Sequence, residues 1–116
     1  MKRILSLLVL CAAAGVLLFA AIPAGARTTA TTVKVTAKEY KFILSTKTAR
    51  HGTVIFKVTN RGKIKHDFKI AGKKTIQLKP NKSATLTVVL KKGKHPYICT
   101  VDSHAKFGMK GVFRST

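Results

Sequence analysis

The chain has 116 residues, with Lys plus Arg 23 against Asp plus Glu 3 and a formal charge of +20. That length fits one compact domain and argues against a two-domain enzyme. Lys2 and Arg3 precede an apolar stretch from Ile4 to Ile22, and Ala24-Gly25-Ala26 follows with the small-x-small pattern that signal peptidase accepts. Residues 1–26 are therefore predicted to be a signal peptide, and the protein to be exported: periplasmic, cell-surface or secreted. An uncleaved anchor is the alternative, because the apolar run could just span a bilayer with Lys2 and Arg3 on the cytoplasmic side. Lipid attachment at Cys11 fits poorly, since Leu10 stands where a small residue is expected. Without the leader about 90 residues remain, with a net charge near +18.

Residues 27–32 are small and hydroxylated apart from Arg27, which predicts a short linker and a domain over residues 33–116. Segments rich in β-branched and aromatic residues then follow at Val33–Ala37, Tyr40–Leu44, Thr53–Thr59, Asp67–Ile70, Thr75–Leu78, Ala84–Leu90, Pro96–Val101 and Gly111–Phe113. Turn signals separate them at His51-Gly52, Asn60-Arg61-Gly62, Ala71-Gly72, Pro80-Asn81 and Lys92-Gly93. No segment has helical spacing of useful length. Val54, Phe56 and Val58 alternate with polar neighbours, as do Leu86, Val88 and Leu90, so each strand buries one face. A sheet with one apolar face must cover it with another, and the prediction is an all-β sandwich. A domain this small buries only about 60% of its surface on folding, so a bound metal would add to a marginal stability.

The segment from Tyr97 to Met109 contains Cys99, His104 and Met109 in the pattern Cys-x4-His-x4-Met. A strand end and the loop after it can turn all three toward one point. Upstream, His66 follows the Asn60-Arg61-Gly62 turn at the start of a strand, where a neighbouring loop can present a fourth donor. A thiolate and two neutral imidazoles, with a weak thioether on the axis, suit copper in both oxidation states. Zinc gains little from the methionine. Cys99 is also the only cysteine outside the leader, a thiol with no intramolecular disulfide partner in an oxidising compartment. His51, beside a turn glycine, and His95, before Pro96, are not expected to be ligands, although His95 is the substitute should His66 fail.

On these residues, the Asn60 to His66 segment, the turn and strand from Lys79 to Leu90, and the Tyr-x-Cys…His…Met loop, the chain resembles the cupredoxins, the plastocyanin and azurin family of small blue-copper proteins. The resemblance covers Val33 to Phe113. It implies a Greek-key β-sandwich, one type 1 copper ion cycling between Cu(I) and Cu(II), His66, Cys99 and His104 as equatorial ligands, and Met109 as the axial one. Two departures stand out. Asp67 follows the first histidine where the family often has Asn, whose amide helps tie the ligand loops; the carboxylate could accept backbone N–H bonds from near Cys99 and Thr100. Val101-Asp102-Ser103 precedes the second histidine where relatives often have Pro or Gly.

The function so implied is a one-electron carrier between redox partners, not an enzyme, docking through Ala105, Phe107 and Gly108 around His104. The alternative is copper binding for storage, delivery or detoxification with the same ligands; a non-redox adhesion module with a vestigial site would not need four intact ligand positions. The lysines fall mostly on turns and outward strand faces, where solvated charge belongs. So large a charge steers a protein toward an acidic redox partner, or toward anionic membrane or cell-wall surfaces, at rates that fall with salt. No nucleic-acid fold motif is present, and no specific nucleic acid is expected. A monomer is expected.

Overall fold

The computed structural model describes residues 29–116 together with Gly15. The predicted leader, and Cys11 within it, otherwise lie outside the described residues. Among the described residues nine strands form two sheets: β1 (Thr31–Lys38), β2 (Lys41–Leu44), β3 (Thr48–Ala49), β4 (Gly52–Asn60), β5 (Lys69–Ile70), β6 (Lys73–Lys74), β7 (Ser83–Leu90), β8 (Gly93–Ile98) and β9 (Lys110–Ser115). One sheet has the order β2-β1-β4-β7 and the other β3-β9-β8-β5-β6. β1 and β4 run parallel, with Val33 opposite Phe56, while β4 and β7 run antiparallel, with Phe56 opposite Leu86. Among the described residues no helix is long and apolar enough to cross a membrane.

The strand order is that of an all-β Greek-key sandwich, and the alternation sets which face of each sheet is buried. Val33, Val35, Val54, Phe56, Val58, Val88 and Leu90 are buried on the inner face of the first sheet, and Phe68, Ile70, Tyr97 and Phe113 meet them from the second. Phe56 contacts Phe68 with ring centres 5.2 Å apart and Phe113 at 5.3 Å, joining the sheets through aromatic rings. A smaller buried cluster of Ala37, Cys99, Val101 and Met109 caps one end, and Phe42 packs against both clusters.

Local pairing departs from the sequence expectation in several places. β1 begins at Thr31, inside the expected linker, because Thr31 and Thr32 pair with Val54 and Ile55. β3 was not foreseen; two residues carry no periodicity. The expected strand Asp67–Ile70 shrinks to β5, and the one expected over Thr75–Leu78 does not form; β6 precedes it at Lys73–Lys74 and is joined to β5 by Ala71 and Gly72, both at positive φ, the conformation that a two-residue hairpin turn demands. Thr75 and Leu78 spend their backbone groups elsewhere: Thr75 N–H donates to Phe68 O at 3.0 Å, and Leu78 forms an isolated bridge with His66. The strand expected over Pro96–Val101 runs instead from Gly93 to Ile98. It stops there because Met109 N–H turns to His104 O at 3.1 Å and Thr100 N–H to the Asp67 carboxylate, although Cys99 N–H still reaches Met109 O at 3.0 Å. Pro96 is tolerated because β5 reaches only Tyr97 and Ile98, leaving Pro96 paired on one side.

Candidate metal centre

The C-terminal ends of β1, β4 and β8 and the N-terminal end of β9 meet at one end of the sandwich. Two connections there carry the predicted ligands, β4 to β5 and β8 to β9. After β4, the chain is held by Asn60, fully buried, whose amide donates to Ile64 O at 2.8 Å and Leu78 O at 2.7 Å and accepts from Gly62 N–H at 2.8 Å. This one side chain shapes the segment leading into His66. His66 is then fixed by its own backbone, with N–H to Leu78 O at 3.1 Å and Leu78 N–H to His66 O at 2.7 Å.

Cys99 is the first residue past β8. The connection to β9 tightens into a 3-10 helix, His104–Phe107, ended by Gly108 at φ 106°, a conformation that disfavours any side chain. Met109 N–H donates to His104 O at 3.1 Å, and Cys99 N–H to Met109 O, so the loop closes on itself and all three residues face inward. The helix was not foreseen, since four residues give no period to recognise.

The donor atoms converge. Cys99 Sγ lies 3.6 Å from His104 Nδ1 and 4.0 Å from His66 Nδ1, and the two Nδ1 atoms are 3.2 Å apart. His66, Cys99 and His104 form the one such donor group among the described residues, with all donors within 4.8 Å of one another. Met109, fully buried, packs in the same cluster as Cys99. His51 Nδ1 instead bonds Thr116 O at 2.9 Å and His95 Nε2 bonds Lys91 O at 2.7 Å, so neither faces the group.

Electrostatics around the donors are specific. Burial pushes the Cys99 thiol up, while N–H groups of Asp67 and Val101 draw it down and the Asp67 charge pushes it up again. Asp67, itself 2% exposed, accepts Thr100 N–H at 2.6 Å and the Thr100 hydroxyl. The carboxylate thus ties the two ligand segments, at Thr100.

Glu39, in the turn between β1 and β2, was not singled out in the sequence. Its Oε1 accepts Lys63 N–H at 2.6 Å and Ile64 N–H at 3.1 Å, and lies 3.0 Å from His66 Nε2. Burial pushes its carboxyl up, but Lys63 N–H, the His66 ring and Ile64 N–H outweigh that and hold it down at about 2. Ion pairing across sequence-distant turns leaves no local signal; the only cue was an acid in a chain with two others.

A soft sulfur beside two imidazole nitrogens, with a thioether behind, fits a copper ion and fits poorly the hard cations that prefer oxygen. A family model described as a cupredoxin-like domain matches residues 10–113. No curated protein sequence matches the chain. Among solved structures, the chain is similar to the dithionite-reduced auracyanin of the photosynthetic bacterium Roseiflexus castenholzii, with TM-score 0.66 and 20% identity over 74% of this chain and 97% of that one. It is similar also to auracyanin A, a "blue" copper protein of Chloroflexus aurantiacus, with TM-score 0.62 and 16% identity over 76% of this chain and 100% of that one. Rusticyanin variants give TM-score 0.61 and 22% identity over 76% of this chain and 79% of theirs. These identities speak to the fold, and the family match and the buried donors speak to the site. Together they place this chain in the cupredoxin family, with one type 1 copper ion as its cofactor.

Proposed function

We propose that the protein is an exported one-electron carrier, in which His66, Cys99, His104 and Met109 would hold the copper. The observation that carries this reading is the burial of the donors: Cys99 is 1% exposed, His66 and Met109 fully buried and His104 5%. Copper, when bound, supplies a one-electron couple. The chain supplies a closed cage whose donors are held by backbone hydrogen bonds, so little has to move between oxidation states. A set open to exchange would suit delivery of copper; this one is tied at His66, Thr100 and Met109.

His104 is the ligand nearest the surface. The Tyr40 ring stands edge-on to it at 5.1 Å and contacts Phe107 at 5.0 Å, and Phe107 is 66% exposed. On another side His104 lines an open depression of about 670 Å³ with Lys63, Lys65 and Lys79. An aromatic contact flanked by lysines supports docking of an acidic redox protein at this end, by a monomeric carrier. The outward lysines support a second, unspecific attraction to anionic membrane or cell-wall surfaces. Residues 1–26 would serve export as a signal peptide, or tether the protein to the membrane if retained.

The test is to load the purified protein with Cu(II). An intense visible thiolate-to-copper band that cycles reversibly with a reductant and an oxidant supports the reading, and Cys99→Ser should abolish the band. Copper uptake without colour would defeat it, and ready transfer of copper to an acceptor without redox cycling would favour storage or delivery.

A further inference from the structure

His66 is held from both sides. Its backbone is locked to Leu78, and its ring nitrogen remote from Cys99 meets the Glu39 carboxylate at 3.0 Å. An ionised carboxylate can only accept, so His66 Nε2 must donate. In the neutral ring this leaves the lone pair on Nδ1, the atom that faces Cys99 Sγ and His104 Nδ1.

The turn after β4 is built around that contact. Glu39 Oε1 also gathers the N–H groups of Lys63 and Ile64, so one oxygen takes three donors. A Cβ at Gly62 would overlap the Glu39 carboxylate and come within 2.9 Å of His66 Nε2. Glycine is therefore required for the carboxylate to reach the ring. The chain has only three acidic residues against 23 basic ones, and this one is placed against a metal ligand.

We propose, resting on the copper reading above, that Glu39 is a positioning residue that aims His66 Nδ1 at the metal and biases the site toward the oxidised ion. A carboxylate bonded to the far side of a ligating imidazole fixes the ring's tautomer and raises its basicity. Its charge attracts Cu(II) more than Cu(I), because the Coulomb term grows with the charge on the ion. In so basic a chain it also offsets part of the field that opposes a bound dication.

The experiment compares the full chain with Glu39→Gln, Glu39→Ala and Gly62→Ala. Nitrogen NMR of the metal-free protein should show His66 protonated at Nε2; protonation at Nδ1 would overturn the proposal before any metal is added. With copper, Glu39→Gln should keep the thiolate band, since its amide oxygen can still accept from His66, yet show a raised reduction potential because the charge is gone. Glu39→Ala should lose Cu(II) affinity by about 10–100-fold in chelator competition, and Gly62→Ala should move the potential in the same direction as Glu39→Gln. Should Glu39→Ala fail to fold, the potential of Glu39→Gln decides. A potential and affinity unchanged in Glu39→Gln, in a protein that shows the band, overturn the role of Glu39 alone. Absence of the band from the unsubstituted protein overturns the copper reading and this proposal with it.

Discussion

Cys99, His104 and Met109 are the residues whose chemistry is visible in the sequence, because they lie within eleven positions of one another. Asp67 shows how a neighbour of a ligand acts without touching the metal. Its two carboxylate oxygens take the N–H and the hydroxyl of Thr100, so it joins the His66 segment to the Cys99 loop. Asp67→Ala strands both donors in a partly buried position. It should lower stability by about 1–3 kcal/mol, read as a shift of the urea midpoint of the metal-free protein. Asp67→Asn retains one acceptor oxygen and should lose less. An Asp67→Ala midpoint equal to that of the unsubstituted protein would show that the tie contributes nothing.

At the scale of elements, the site depends on where strands stop rather than on where they run. β4 ends on Asn60, whose side chain makes three hydrogen bonds, to Gly62 N–H, Ile64 O and Leu78 O, and so shapes the segment that leads to His66. β8 ends at Ile98 because Met109 N–H turns to His104 O and Thr100 N–H to Asp67. Strong alternation made β4 and β7 legible to within one residue, whereas β5, β6 and β3, two residues each, are defined by their partners and carry no pattern of their own. Asn60→Ala would leave the buried carbonyl of Leu78 without its amide donor and free Gly62 N–H. Its expected effects are a loss of about 1–3 kcal/mol and slower uptake of copper, measured by thermal unfolding of the metal-free form and by stopped-flow growth of the visible band. Normal uptake by a destabilised variant would mean that Asn60 serves the fold and not the ligand loop.

Over the whole molecule, charge is distributed unevenly. All three acidic residues, Glu39, Asp67 and Asp102, lie at the metal end: Glu39 on His66, Asp67 on Thr100, and Asp102 in the wall of the depression beside His104. The outward rows of the sheets carry lysine and arginine without a carboxylate, as where Lys94 stands opposite Arg114 and Lys34 opposite Lys57. Attraction of an acidic partner should therefore be long-ranged and weaken steeply with ionic strength. Changing Lys63, Lys65 and Lys79 together to Gln should slow association with the natural partner and flatten its salt dependence, with the visible band unchanged. Phe107→Glu should slow electron transfer at high salt as well, because it removes the exposed aromatic contact next to Tyr40 and His104. Rates unchanged in the Phe107 variant would place docking elsewhere.

From the sequence by itself came the all-β class, the inward faces of the long strands, the four candidate ligands and the excess of positive charge. Each of these is a local property: residue type, period-two alternation, or close spacing along the chain. The tertiary structure alone decided that His66, 33 residues before Cys99, meets it within ligand distance. It alone decided that Asp67 reaches Thr100, that Glu39 and Gly62 close around the His66 ring, and that Tyr40 joins His104 to Phe107. These contacts join turns far apart in the chain, and their geometry exists only once the two sheets have packed and brought the strand ends to one pole.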